Sequence, residues 1–129
     1  MKKITIIALL LSVTLSSCSE NDNDLVANSK QDLENACTAT NPLEVKWMQD
    51  LITELNCGEY ACKVSILKSE YEEETVFYIQ MTDPLCNGVD EIILYNCTGK
   101  KLKEFTIEES WEFINSPGRQ VEEMFSCNG

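Results

Sequence analysis

The sequence predicts an α+β domain: an N-terminal helix packed on a four-stranded antiparallel meander, followed by a short C-terminal helix and pinned by disulfides. Three observations carry this. Trp47, Met48, Leu51, Ile52 and Leu55 recur at helical spacing and form one apolar stripe. Two pairs of β-rich segments follow, each joined by a polar turn. Six cysteines are spread from Cys37 to Cys127 along this same region.

The first helix is expected over residues 42–56. Asn41 suits the N-cap, Pro42 the first turn where a missing N–H costs nothing, and Glu44 the positive helix end. Asn56-Cys57-Gly58 supplies a stop, with Gly58 fitted to a left-handed turn. Residues 62–69 mix apolar and polar positions in a β-rich run, and Thr75-Val76-Phe77-Tyr78-Ile79-Gln80-Met81 is the strongest strand, dense in β-branched and aromatic residues. The acidic stretch Glu70-Tyr71-Glu72-Glu73-Glu74 lies between them as the turn region of a hairpin. Pro84 to Asp90 reads as a loop around Asn87-Gly88. A second strand pair, Glu91–Tyr95 and Lys101–Phe105, flanks the turn Asn96-Cys97-Thr98-Gly99. Thr106-x-x-Glu109 is a capping-box pattern opening the second helix, which presents Ile107, Trp111 and Ile114 and stops at Ser116-Pro117-Gly118. Val121 to Phe125 is read as a last turn before Cys127.

The chain begins with Lys2-Lys3 and an apolar run from Ile4 to Leu15, shorter than the roughly 20 residues of a membrane span. Residues 1–17 have the pattern of a signal peptide, and Leu15-Ser16-Ser17-Cys18 resembles the bacterial lipobox, which implies acylation of Cys18 and a membrane partner for the anchored chain. Residues 18–36 are polar and acidic and read as a flexible tether; residues 37–129 form the single folded domain. Glu20, Asp22 and Asp24 resemble the acidic export signal of surface-displayed lipoproteins in Bacteroidetes, which implies an outer-membrane, outward-facing location.

With Cys18 acylated, an even set remains for disulfides: Cys37, Cys57, Cys62, Cys86, Cys97 and Cys127. Six cysteines admit about fifteen pairings. The nested arrangement Cys57–Cys62, Cys86–Cys97 and Cys37–Cys127 closes two local loops and ties the domain ends together. Zinc is disfavoured, because no Cys-x2-Cys knuckle and no histidine is present.

The formal net charge is −12, and removal of Lys2 and Lys3 with the signal makes it −14. Nucleic acid is excluded as a partner, since phosphate binding needs clustered cations; a basic protein or peptide is favoured. Without histidine no Ser-His-Asp or Cys-His set can be assembled, and with the cysteines in disulfides no thiol nucleophile remains, so no enzyme and no cofactor is expected. The acidic clusters Glu72-Glu73-Glu74 and Glu108-Glu109-Glu112 fit a hairpin tip and a helix start better than a catalytic pair. Laid on a calcium loop, Asp83 to Leu94 places Leu85 and Leu94 where oxygen ligands are required, so the match fails. Trp47 and Trp111 could form a ligand platform, but each lies on a helical stripe, so core packing is expected. Asn96-Cys97-Thr98, a glycosylation sequon by pattern, is read as a turn.

Three stretches, Trp47-Met48-Gln49-Asp50-Leu51-Ile52, Thr75-Val76-Phe77-Tyr78 and Leu94-Tyr95-Asn96-Cys97-Thr98-Gly99-Lys100, resemble a family of small Bacteroidetes lipoproteins of unknown function. The resemblance spans roughly residues 45–105 and implies a Trp-led helix ahead of a strand pair, with no catalytic residues assigned. The expected activity is that of a lipid-anchored, non-enzymatic binding module. The alternative is a small inhibitor or accessory protein of an envelope hydrolase, an analogy resting on the helix-on-meander layout alone.

Overall fold

The computed structural model describes residues 34–55, 57–59 and 61–127. The signal segment, Cys18 and most of the acidic tether lie outside the described residues. The domain is α+β with a five-stranded antiparallel sheet: β1 (Val64–Tyr71), β2 (Glu74–Met81), β3 (Ile93–Tyr95), β4 (Lys101–Glu104) and β5 (Glu122–Cys127). Strand order is β4-β3-β2-β1-β5, so the expected meander is present and a fifth strand is added on its far edge. Helix α1 spans Lys46–Glu54 and α2 spans Ile107–Ile114.

The segment expected to be one helix over 42–56 is two pieces. Asn41 caps a 3-10 turn, Pro42–Glu44, by accepting from the Leu43 N–H at 3.2 Å. Val45 is then extended, and α1 starts after it with no side-chain cap. Val45 is buried with Met48 and Leu51, and its extended backbone marks where the 3-10 turn ends and α1 begins. The stop also differs, because Leu55 in extended conformation ends α1 without a left-handed Gly58. Met48 and Leu51 are buried, with Trp47, Ile52 and Leu55 packed at the margin, as the stripe predicts.

Strand alternation divides the core into two layers. Ile66 and Phe77 face α1, where they meet Ala36, Val45, Met48 and Leu51. Leu67, Val76, Tyr78 and Leu94 point to the opposite face and meet Ile92, Phe105 and Phe113. Each helix therefore covers its own face of the sheet. Ala36, placed in the tether by composition, is buried, and its N–H donates to the Cys97 carbonyl at 2.7 Å, so the fold begins before Cys37.

The last turn expected at Val121–Phe125 is a strand instead. β5 pairs with β1 from Val64↔Cys127 to Lys68↔Glu122, with a register shift between Ile66 and Leu67. This pairing explains two buried serines on β1. The Ser65 hydroxyl lies 2.8 Å from both Thr82 Oγ1 and Glu123 Oε2, and Ser69 Oγ donates to the Gln120 carbonyl at 2.6 Å. Without β5 and the residues leading into it, Ser65 would keep only Thr82 and Ser69 would lose the Gln120 carbonyl.

All three nested disulfides are replaced. The bonds are Cys37–Cys97, Cys57–Cys127 and Cys62–Cys86, with Cα–Cα distances of 5.3, 5.2 and 6.1 Å. The local closure Cys86–Cys97 does not form, because Cys97 is bonded to Cys37 in the segment ahead of α1 and Cys86 to Cys62 ahead of β1. Cys62 precedes β1 and faces the loop leaving β2, where Thr82 N–H donates to Lys63 O at 3.0 Å and Lys63 N–H to Asp83 Oδ2 at 2.9 Å. Cys127 ends the edge strand opposite β4 and meets Cys57, just beyond α1, rather than Cys37.

Candidate functional site

Helix α2 begins with the predicted capping box. Glu109 N–H donates to Thr106 Oγ1 at 3.2 Å, and the Thr106 N–H donates to Glu109 Oε2 at 2.9 Å. The Thr106 amide holds the Glu109 carboxyl below the usual carboxylate range; its partial desolvation opposes this and Lys103 adds to it. The buried side of α2 is only partly the expected one, Ile114 alone of the predicted stripe packing against the core. Ser110 and Phe113 face the sheet, with Ser110 Oγ accepting from the Ile92 N–H at 2.9 Å. Ile107 and Trp111 point outward at 53% and 59% exposure, so core packing is overturned for Trp111.

Between α2, the β1–β2 hairpin tip and the 116–120 loop lies a groove of about 530 Å³. Tyr71, Phe105 and Phe113 build its aromatic wall, in edge-to-face and tilted contacts with centroids 5.2–5.9 Å apart. Two cations rest on these rings. Lys103 Nζ lies 4.9 Å from the Phe105 centroid and 3.7 Å from Glu109 Oε1. Desolvation pulls the Lys103 ammonium down, but Tyr71 and Glu109 outweigh it and hold it above the usual lysine range. Arg119, the single arginine of the chain, lies 4.7 Å over Phe113. Its Nη2 donates to the Ile114 carbonyl at 3.0 Å and its Nη1 to the Tyr78 hydroxyl. Burial raises the Tyr78 pKa, against the opposing pull of Arg119.

Glu70, Glu72 and Glu112 also line the groove and make no ion pair among the described residues. Glu72 and Glu73 form the two-residue turn between β1 and β2, both in left-handed backbone with φ of 49° and 67°. The trough continues past Glu70, Gly118 and Gln120 into a second polar depression bordered by Thr75 and the Lys68–Glu122 pair at 3.1 Å.

Other residues singled out by sequence fall elsewhere. Trp47 is half-buried over Phe77 and Tyr95, with its indole N–H donating to the Glu34 carbonyl at 3.0 Å. Asn96 works as a turn residue, its Oδ1 accepting from the Thr98 and Lys100 N–H groups at 3.0 and 2.9 Å. Cys62, Asp83 and Cys86 have donor atoms within 4.8 Å of one another, the geometry of a metal cluster. The two sulfurs are bonded to each other and Asp83 accepts from the Lys63 and Leu85 N–H groups, so this set is already committed to structure. The groove was invisible to motif reading, because its walls come from the hairpin tip, β4, α2 and the loop before β5. The one available signal was Arg119, the single arginine of a strongly acidic chain.

No family model, curated protein or solved structure matches this chain.

Proposed function

We propose that this protein is a lipid-anchored, non-enzymatic binding module whose groove between α2 and the hairpin tip takes a basic segment of a partner protein. The observation that carries the reading is the pairing of an aromatic wall with Glu70, Glu72 and Glu112, carboxylates without cationic partners among the described residues. Lys103 and Arg119 already rest on those rings, so the wall has the quadrupole geometry that attracts a further cation. The net charge of −14 left after loss of Lys2 and Lys3 would steer a basic chain toward it. Continuity of the trough from Glu112 to Glu122 suits an extended peptide better than a compact metabolite. Acylation of Cys18 would hold the domain at a membrane surface, in the exported, outward-facing setting that the N-terminal pattern implies.

The test uses the full chain in neutral detergent micelles and a labelled Lys/Arg-rich decapeptide, with binding followed by fluorescence anisotropy. Binding is expected to weaken as salt rises and the Debye length shrinks below about 8 Å. It should drop several-fold in Glu72→Gln/Glu112→Gln, and an acidic decapeptide should not bind. Equal binding by the double variant would overturn the groove as the site. For the anchor, Cys18→Ser should move the protein from the membrane to the soluble fraction; persistence at the membrane would refute acylation.

A further inference from the structure

On the other side of α2, sharing no residue with the groove, is a cavity of about 190 Å³ walled by Ile79, Ile92, Ile114 and the exposed Trp111. Gln80 reaches into this apolar setting from β2. Its Oε1 is buried and accepts no hydrogen bond. A buried amide oxygen left without a donor costs about 1–3 kcal/mol, so it marks a place where a donor belongs. Asp90 stands at the rim, exposed and outside every ion pair among the described residues.

We propose that this cavity is a binding site for a single sugar ring. Three features select that chemistry. The volume lies below the roughly 300–1,000 Å³ of pockets for drug-sized ligands, which fits one ring. Trp111 offers a broad apolar face, on which the C–H face of a pyranose can lie. Gln80 and Asp90 line the same cavity, the exposed Asp90 carboxylate offering an acceptor for a ring hydroxyl and the Gln80 amide a donor and an acceptor. A hydroxyl both donates and accepts, so it satisfies the Gln80 amide whichever way the amide is turned. A ligand with an amine or indole donor would answer only one of those orientations.

The site explains two features that the fold by itself leaves unexplained. A large aromatic side chain is held at 59% exposure on a helix that has a buried face available, and a polar atom is enclosed without a partner. A sugar bound there would cover both.

The experiment follows tryptophan fluorescence, to which Trp47 and Trp111 both contribute, in the full chain held in a detergent without a sugar head group, during titration with methyl hexosides and an N-acetylhexosamine. A saturable change is expected for at least one of these sugars, with a dissociation constant on the order of 1 mM, as suits a site of one ring. Trp111→Ala should abolish binding measured by calorimetry while leaving the melting temperature unchanged, because the ring is exposed. Gln80→Leu should weaken binding about tenfold yet raise the melting temperature, since it removes a buried unpaired acceptor. That opposition separates a ligand contact from a structural one. The proposal is overturned if no sugar gives a saturable change, if calorimetric binding persists in Trp111→Ala, or if indole and phenol bind while the sugars do not. The groove variant Glu72→Gln/Glu112→Gln should bind the sugar as the unaltered chain does, so failure of one site is read independently of the other.

Discussion

Trp47 lies directly against Gly99, so closely that a Cβ added at Gly99 would come within 2.4 Å of Trp47 Cγ and 2.8 Å of Trp47 Cβ. Gly99 also has φ of +77° in the turn joining β3 to β4, with its N–H donating to Asn96 O at 3.0 Å. Helix α1 is thus seated on the turn that carries the Cys97 end of a disulfide. Gly99→Ala should destabilise the domain by at least about 2 kcal/mol, combining the left-handed penalty with a clash near the root of the Trp47 side chain. Trp47→Ala removes the clash, so the double variant should cost clearly less than the two single changes added together, by about 1 kcal/mol or more in a urea-unfolding cycle. Strict additivity would mean that the contact is not tight in solution.

The hairpin turn places two glutamates where Asn-Gly is the favoured pair. Both φ values are positive, and a left-handed residue other than glycine costs about 1–2 kcal/mol. Glu72→Asn/Glu73→Gly should therefore raise stability by about 1–2 kcal/mol, seen as a higher melting temperature. The same change should weaken capture of the basic decapeptide, because it deletes a carboxylate from the groove rim.

Digestion of the unreduced protein followed by mass spectrometry should release cross-linked peptides joining Cys37 to Cys97, Cys57 to Cys127 and Cys62 to Cys86. In the chain-entropy treatment the bond spanning 24 residues contributes about 3–4 kcal/mol, and those spanning 60 and 70 about 4–5 kcal/mol. Double alanine replacement of Cys62 and Cys86 should then be the mildest of the three deletions. A Cys57–Cys62 peptide would contradict the placement of β5.

Glu109 and Asp83 both accept backbone N–H bonds, which lower their pKa values on folding. For a carboxyl depressed in this way the stabilisation is present above its unfolded pKa and is lost as pH falls through the folded one. Urea midpoints should therefore drop as the solution passes from the ordinary carboxylate range down through the depressed values. In Glu109→Gln and Asp83→Asn that drop should be shallower. A parallel pH profile for the wild type and both variants would show that these bonds do not distinguish the charged form.

The elements most legible from sequence were those whose signals are local. The capping box at Thr106 and Glu109, the Trp47–Leu55 stripe and the strand Thr75–Met81 all depend on contacts within a few residues. The second helix lies where the capping box predicts, but its buried face is rotated from the expected stripe. Of the stripe Ile107, Trp111 and Ile114 only Ile114 packs against the core, whereas Phe113 and Ser110 are buried, Ser110 accepting from the Ile92 amide. β5 was missed because Glu122-Glu123 opens a short strand with little alternation, and only the open edge of β1 makes it one.

By itself the sequence determined that this is a disulfide-bonded α+β chain with an acidic surface and no histidine, and where most of its helices and strands lie, because spacing and composition act over short range. Only the tertiary structure decided which cysteines meet, which face each helix covers and that Glu72, Arg119 and Phe113 share one groove. Those outcomes depend on distances between residues tens of positions apart. Such distances are set by strand order and by the rise of an extended chain, neither of which is written in any local run of residues.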